Sequence, residues 1–269
     1  GRDRKVLMQA PKNGFFYVLD RETGELISAE NYVPVTWATH IDKTTGRPLQ
    51  AANARRGDSE PTFTLPGPFG GHNWQPMSYS PQTGLVYIPA METPHIYAKD
   101  QDFKFQDGLW NTGSDMSLGS LPTGKAQLAE VKKLVKGRLL AWNPVTQKAA
   151  WKQEHNGAWN GGVLSTAGNI VVQGNGDAEI VAYNAQTGER LWSFFAQTGV
   201  VAPPISYQID GEQYITVAAG WGGAFALPYG GVLPAKQQIP AGRILTFKLD
   251  GKAKLPDLVP MPSSNSVPP

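Results

Sequence analysis

Cysteine is absent from the 269 residues, which excludes a disulfide framework, a thiolate metal site and covalent haem attachment within this stretch. No apolar run approaches the roughly 18 residues that a membrane-crossing helix needs, so the chain itself is not expected to span a membrane. The first residues lack the order of charged, apolar and small residues that marks a signal peptide. Charge of one sign is scarce as well: 24 Lys and Arg against 22 Asp and Glu leave a formal +2, spread without a basic stripe. That excludes the electrostatic footprint of a nucleic-acid binder. The opening GRDRKVLMQA passes from a charged stub straight into a strand-like run, so Gly1 is read as the boundary of a cut fragment.

Turn residues and aromatics are present instead. Thirty Gly, 22 Pro and 8 Trp favour many short strands joined by tight turns. The segments LLAWNPVTQKAAW (139–151) and IVAYNAQTGERLW (180–192) superpose without gaps, and Trp151 and Trp192 lie 41 residues apart. A weaker copy, FYVLDRETGEL (16–26), keeps the strand, the Asp and the Thr23-Gly24 turn. A period near 40 residues built of strand, turn and strand is the signature of propeller blades. Within each copy, alternating apolar residues make a half-buried strand. The Asn/Asp-x-x-Thr-Gly segment closes a hairpin, because Gly accepts positive φ and the Asn or Asp side chain bonds its own backbone. Trp151 and Trp192 are expected to pack between neighbouring blades. Residues 92–136 break the pattern as an insertion ending in an amphipathic helix around KAQLAEVKKLVK, with Leu128, Val131 and Leu134 on one face. The Pro- and Ser-rich end, 256–269, reads as a linker or tail after a domain of residues 1–255.

Several motifs fail on their chemistry. GSLPTGKA (119–126) matches a phosphate loop only up to the Lys, with Ala126 where a metal-binding hydroxyl is required and no buried strand leading in. His40, His72, His95 and His155 show no zinc-ligand spacing. GNGDAE (174–179) is short of the ligands calcium needs and reads as an Asn-Gly hairpin. Three stretches remain. APKNGFFYVLD puts Lys12 in the turn before a strand. GPFGGHNWQP sets Asn73 and Trp74 behind a Gly-rich corner, and AAGWGGAF places Trp221 between glycines at a strand end. By themselves these residues suit either solvated turns and core packing or the wall of a funnel that receives a flat, anionic, carbonyl-rich ring.

The same stretches, together with GRLLAWNPVTQKAAW and WNGGVLSTAGNIVVQG, resemble the C-terminal half of the catalytic subunit of the pyrroloquinoline-quinone-dependent alcohol dehydrogenases, in particular the quinohaemoprotein kind. The likeness runs from about Val6 to Leu255. It implies an all-β fold, about four blades of an eight-bladed propeller of four-stranded antiparallel sheets, with pyrroloquinoline quinone near the axis and calcium beside it. Carried over by motif, Lys12 reaches the quinone carbonyl oxygens, Asn73 and Trp74 lie at the quinone edge, and Trp221 contacts the ring system. The reaction implied is oxidation of a primary alcohol, with hydride passing to the quinone and a carboxylate taking the hydroxyl proton. The carboxylate base and the calcium ligands are expected upstream of Gly1, in the N-terminal half of the propeller. Haem c is expected in a cytochrome domain or subunit. The resemblance further implies a periplasmic location and an isolated chain without activity. A non-catalytic propeller that binds partners through its faces, and a quinoprotein acting on a sugar or polyol, are the rival readings.

Overall fold

The computed structural model describes residues 3–52, 54, 60–225, 230–233 and 242–257; nearly all of the Pro/Ser tail, residues 258–269, falls outside them. The first sheet is formed by β1 (Val6–Gln9), β2 (Phe15–Asp20) and β3 (Leu26–Asn31), and a short ribbon follows from β4 (Ala38–Ile41) and β5 (Pro48–Gln50). Strand β6 (Thr62–Thr64) waits for a partner beyond β7 (Ser78–Ser80) and β8 (Leu85–Glu92), namely β9 (His95–Tyr97). Two helices, α1 (Met116–Gly119) and α2 (Lys125–Leu134), lead to β10 (Lys136–Asn143) and β11 (Lys148–His155). The second large sheet has the order β11-β10-β8-β7. The third consists of β12 (Val163–Ser165), β13 (Ile170–Gly174), β14 (Glu179–Asn184) and β15 (Arg190–Phe195), and the last of β16 (Ile205–Ile209), β17 (Glu212–Ala219) and β18 (Arg243–Lys248). Their ladders are antiparallel. The architecture is an open, partial β-propeller, as the repeat predicts. The two middle blades have four strands, whereas the flanking two have three among the described residues.

The turns between strands obey one local rule. Asp20 Oδ1 accepts from the amides of Glu22 and Thr23 at 2.9 and 3.2 Å, Asn143 Oδ1 from Val145 and Thr146, and Asn184 Oδ1 from Gln186 and Thr187. The residue that closes each turn is left-handed: Gly24 at φ 78°, Gly188 at φ 75°, and Gln147 at φ 54° in the copy that lacks glycine. Two further copies went unread in the sequence. Asp42 holds Thr44 and Thr45 before Gly46, and Ser80 begins a Thr83-Gly84 turn.

Packing lies between sheets. Along β8, Val86, Ile88 and Ala90 enter a cluster with Ala10, Phe16 and Val18 of the first sheet side, while Leu85 and Tyr87 face Val171, Val181 and Tyr183 of the third. Trp151 crosses that second interface as expected. Its indole donates to Ala185 O at 3.0 Å, and its ring covers Gly188, where a Cβ would come within 2.6 Å. Trp192 also reaches the next sheet, edge-on to Phe247 at 5.3 Å, yet stays 44% exposed. In the insertion, α2 turns Leu128 and Val131 to a cluster with Met91, Val135 and Trp159. Leu134 is a correction: it is exposed, because the helix ends there and Val135, one turn beyond Val131, takes the inward position.

Candidate functional site

The corner between β1 and β2 is held from several sides. Gly14 at φ 93° completes the turn, and Asn13 receives the Phe15 amide on Oδ1 while its Nδ2 donates to Tyr17 Oη. Tyr32 Oη donates to Pro11 O at 2.7 Å, and burial raises that hydroxyl well above its ordinary value, so it remains a neutral donor. Lys12 O accepts from the Gly71 amide at 3.0 Å, and Lys12 Nζ, on an exposed side chain, donates to Pro68 O at 3.1 Å. The glycines of GPFGG are needed here. A Cβ on Gly70 would lie 2.6 Å from Lys12 Cα, so only a bare backbone can run this close.

Four residues later the same segment folds onto itself. Asn73 Nδ2 donates to Phe69 O at 2.9 Å, and Asn73 Oδ1 accepts from the Trp74 amide at 2.8 Å. These two bonds fix the amide and leave Trp74 half-exposed. Phe69 stands edge-on to Trp159 and to Phe225, and Trp159 stacks on Phe225 with centroids 4.7 Å apart. Trp74 meets Trp159 at 6.3 Å, tilted by 68°.

Trp221 joins this assembly from the end of β17. The Trp159 indole donates to Gly222 O at 3.0 Å, and Trp221 packs against the cluster that contains Phe69, Trp159 and Phe225. Gly199 lies under its ring, where a Cβ would come within 2.5 Å. Gly223 lies between the two other indoles, 3.0 Å from Trp74 Nε1 and 3.2 Å from Trp159 Cζ2 by the same measure. Trp221 Nε1 and Thr198 Oγ1 are both buried and lack a hydrogen-bond partner among the described residues. An orphaned indole N–H in a glycine-lined wall is unusual enough to require a reason.

The structure thus gathers Asn73, Trp74 and Trp221 about Phe69, Trp159 and Phe225, and ties Lys12 to the preceding corner through Pro68 O and the Gly71 amide. Sequence reasoning passed over Trp159. The signal was available, since Trp159-Asn-Gly-Gly repeats the pairing of indole with glycine seen at Gly71-His-Asn-Trp74 and Gly220-Trp-Gly-Gly. The remaining candidates lie elsewhere. His155 bonds Gln173, His40 sits beside Thr39 on an edge ribbon, and GNGDAE forms the turn between β13 and β14, with Asp177 held by Asn156. Among the described residues no group of three His, Cys, Asp or Glu could hold a metal ion.

A family model, the PQQ glucose/ethanol/alcohol dehydrogenase β-propeller domain, matches residues 45–215. The chain belongs to this family. It is 50% identical over 260 residues to the quinohemoprotein alcohol dehydrogenase of Comamonas testosteroni, covering 96% of this chain and 36% of that protein. It is 48% identical to quinohemoprotein alcohol dehydrogenase ADH IIB of Pseudomonas putida, over 98% of this chain and 37% of that one. The solved structure of quinohemoprotein alcohol dehydrogenase ADHIIG from Pseudomonas putida HK5 superposes with a TM-score of 0.91 at 45% identity, covering 96% of this chain and 38% of that one. As a member of the PQQ dehydrogenase propellers, the chain therefore spans little more than a third of the length of the curated relatives it matches.

Proposed function

We propose that this segment supplies one wall of the pyrroloquinoline quinone site in an alcohol dehydrogenase that oxidises primary alcohols to aldehydes. The assembly of Asn73, Trp74 and Trp221 about one aromatic cluster, with Lys12 held on the adjoining Pro68-Gly71 corner, carries the reading, and the donors fit the group. The quinone is a flat polyanion with carbonyl oxygens, and the wall offers an ammonium, a carboxamide and indole faces. The Trp221 N–H and the Thr198 hydroxyl stand buried with no partner among the described residues, as donors reserved for a ligand's oxygens do.

When bound, the quinone supplies the hydride acceptor, which no amino-acid side chain provides. Lys12 would supply a cation for negative charge on the group's carbonyl oxygens, since its anchorage on Pro68 O leaves further ammonium hydrogens to donate. Asn73 orients rather than titrates, since both ends of its amide are already engaged within the turn. Trp74 and Trp221 present planar faces and exclude water from the ring's edge. The carboxylate base, calcium and its ligands, and haem c belong to other parts of the same enzyme in this reading. That haem would receive the electrons, and a periplasmic location is part of the same reading. The alcohol specificity follows the relatives' names, and nothing in the described residues favours a sugar, a polyol or a partner-binding scaffold.

The test is quinone binding by the full-length protein carrying this segment, followed by tryptophan fluorescence quenching, with alcohol-dependent dye reduction in parallel. Lys12→Met and Trp221→Phe are each expected to weaken quinone binding about tenfold or more, the loss of one charged or buried hydrogen bond. Wild-type affinity in both variants overturns the reading. The chain alone, given quinone and calcium, is expected to reduce no dye with alcohol.

A further inference from the structure

His72 stands between the two halves of this wall. It is 4% exposed, and its ring reaches two carbonyls that belong to different parts of the chain: Nδ1 lies 2.6 Å from Ala10 O and Nε2 lies 2.5 Å from Gln75 O. Ala10 is two residues before Lys12, and Gln75 directly follows Trp74. Both partners are carbonyl acceptors, so whichever ring nitrogen carries the hydrogen has an acceptor in place for it. Around it the same two segments are already in register, through Gly71 N donating to Lys12 O and the close approach of Gly70 to Lys12 Cα.

We propose that His72 is a positioning residue for the quinone site: a buried two-ended clamp that sets the Lys12 ammonium relative to the Asn73-Trp74 edge. The inference rests on the quinone-site reading above. Its reason is geometric. Segments 62 residues apart present their functional groups from flexible-ended turns, and backbone contact through Gly70 and Gly71 fixes their separation but not their rotation. A rigid planar ring with a nitrogen against each carbonyl fixes both, because neither carbonyl can swing without losing its contact in a place water does not reach.

The ends of the clamp can be removed one at a time. Asn places its amide nitrogen near the Nδ1 position and Gln near the Nε2 position, so His72→Asn keeps the Ala10 end and His72→Gln keeps only the Gln75 end. In the full-length protein, His72→Gln and His72→Asn, each of which releases one carbonyl, are each expected to weaken quinone binding about tenfold and to lower kcat with little change in the alcohol KM. If His72 acts through Lys12, adding His72→Gln to Lys12→Met costs less than about twofold more. Wild-type quinone affinity in both the Asn and Gln variants, or full additivity with Lys12→Met, overturns the clamp while leaving the quinone site standing. Lys12→Met with unchanged quinone affinity overturns the site reading and the clamp together. His72→Phe removes both ends, and the single-end variants carry the test should it fail to fold.

Discussion

Strand β8 and strand β16 make opposite use of apolar residues. In β8, Leu-Val-Tyr-Ile-Pro-Ala-Met-Glu, every residue is buried. In β16, Ile-Ser-Tyr-Gln-Ile, every residue is exposed, although Ile205, Tyr207 and Ile209 form an apolar stripe. The difference lies in neighbours. Strand β8 runs between β7 and β10 in a sheet covered on both faces, so its alternate side chains feed two separate cores. Among the described residues strand β16 pairs only with β17, and the core of that last sheet is drawn from Val217, Ala219 and Leu245 of its other strands. A blade is a unit that cannot cover its own faces, and its contribution to stability is set by what lies beside it.

The sharpest way to break this comparison is to truncate one residue in each place. Leu139→Ala, in β10 at 0% exposure, is expected to cost about 2–5 kcal/mol by transfer and cavity terms. Ile205→Ala, at 57% exposure, is expected to cost under about 0.5 kcal/mol. Denaturant midpoints of the two variants check this, and equal losses would mean that the blade interfaces do not carry the fold.

Glycine turns sharpen the same contrast at smaller scale. Gly188→Ala puts a methyl into the Trp151 ring and a side chain at φ 75°, with an expected loss of about 2–3 kcal/mol from strain and overpacking. Gly211, at φ 83° with nothing within 4 Å, suffers the backbone term alone, about 1 kcal/mol. Thermal melting of both variants separates a turn that docks from a turn that only turns.

The smallest effect is on pH dependence and belongs again to the interface between the middle blades. His155 ends β11 and reaches Gln173 on β13. Burial pushes its imidazole below the usual value, against the Gln173 bond and the nearby Asp177, which favour the cation. The folded protein therefore binds this proton less readily than the unfolded chain. Stability from this group is present above the ordinary value near 6.5 and is lost as pH falls through it toward the folded value. Melting temperatures from pH 7.5 to 5 are expected to decline, and His155→Gln to flatten that slope. An unchanged slope would place the acid sensitivity elsewhere.

Much of this was legible because it is local. The Asx turns at Asp20, Asn143 and Asn184 need only a short side chain bonding to its own backbone and a residue that accepts positive φ, and both requirements are written within five positions. The turn at Asp42 escaped because no tryptophan strand follows it, and the one at Ser80 because a serine opens it. The inward face of α2 was misjudged by one residue, Leu134 for Val135, since periodicity does not say where a helix stops. Trp159 was hidden for a different reason: indole beside glycine is equally a core residue or a ligand wall, and only contact with Phe69, Phe225 and Gly222 separates the two.

The amino-acid sequence by itself determined the strands, the hairpin turns and the repeat, because these follow from dihedral preferences and alternation among near neighbours. Only the tertiary structure decided that Ala10 and Gln75 share one imidazole, that Trp151 is covered while Trp192 is not, and that Trp74 and Trp221 adjoin a common aromatic cluster. Those outcomes depend on which blade lies against which, a matter of long-range packing that no local rule encodes.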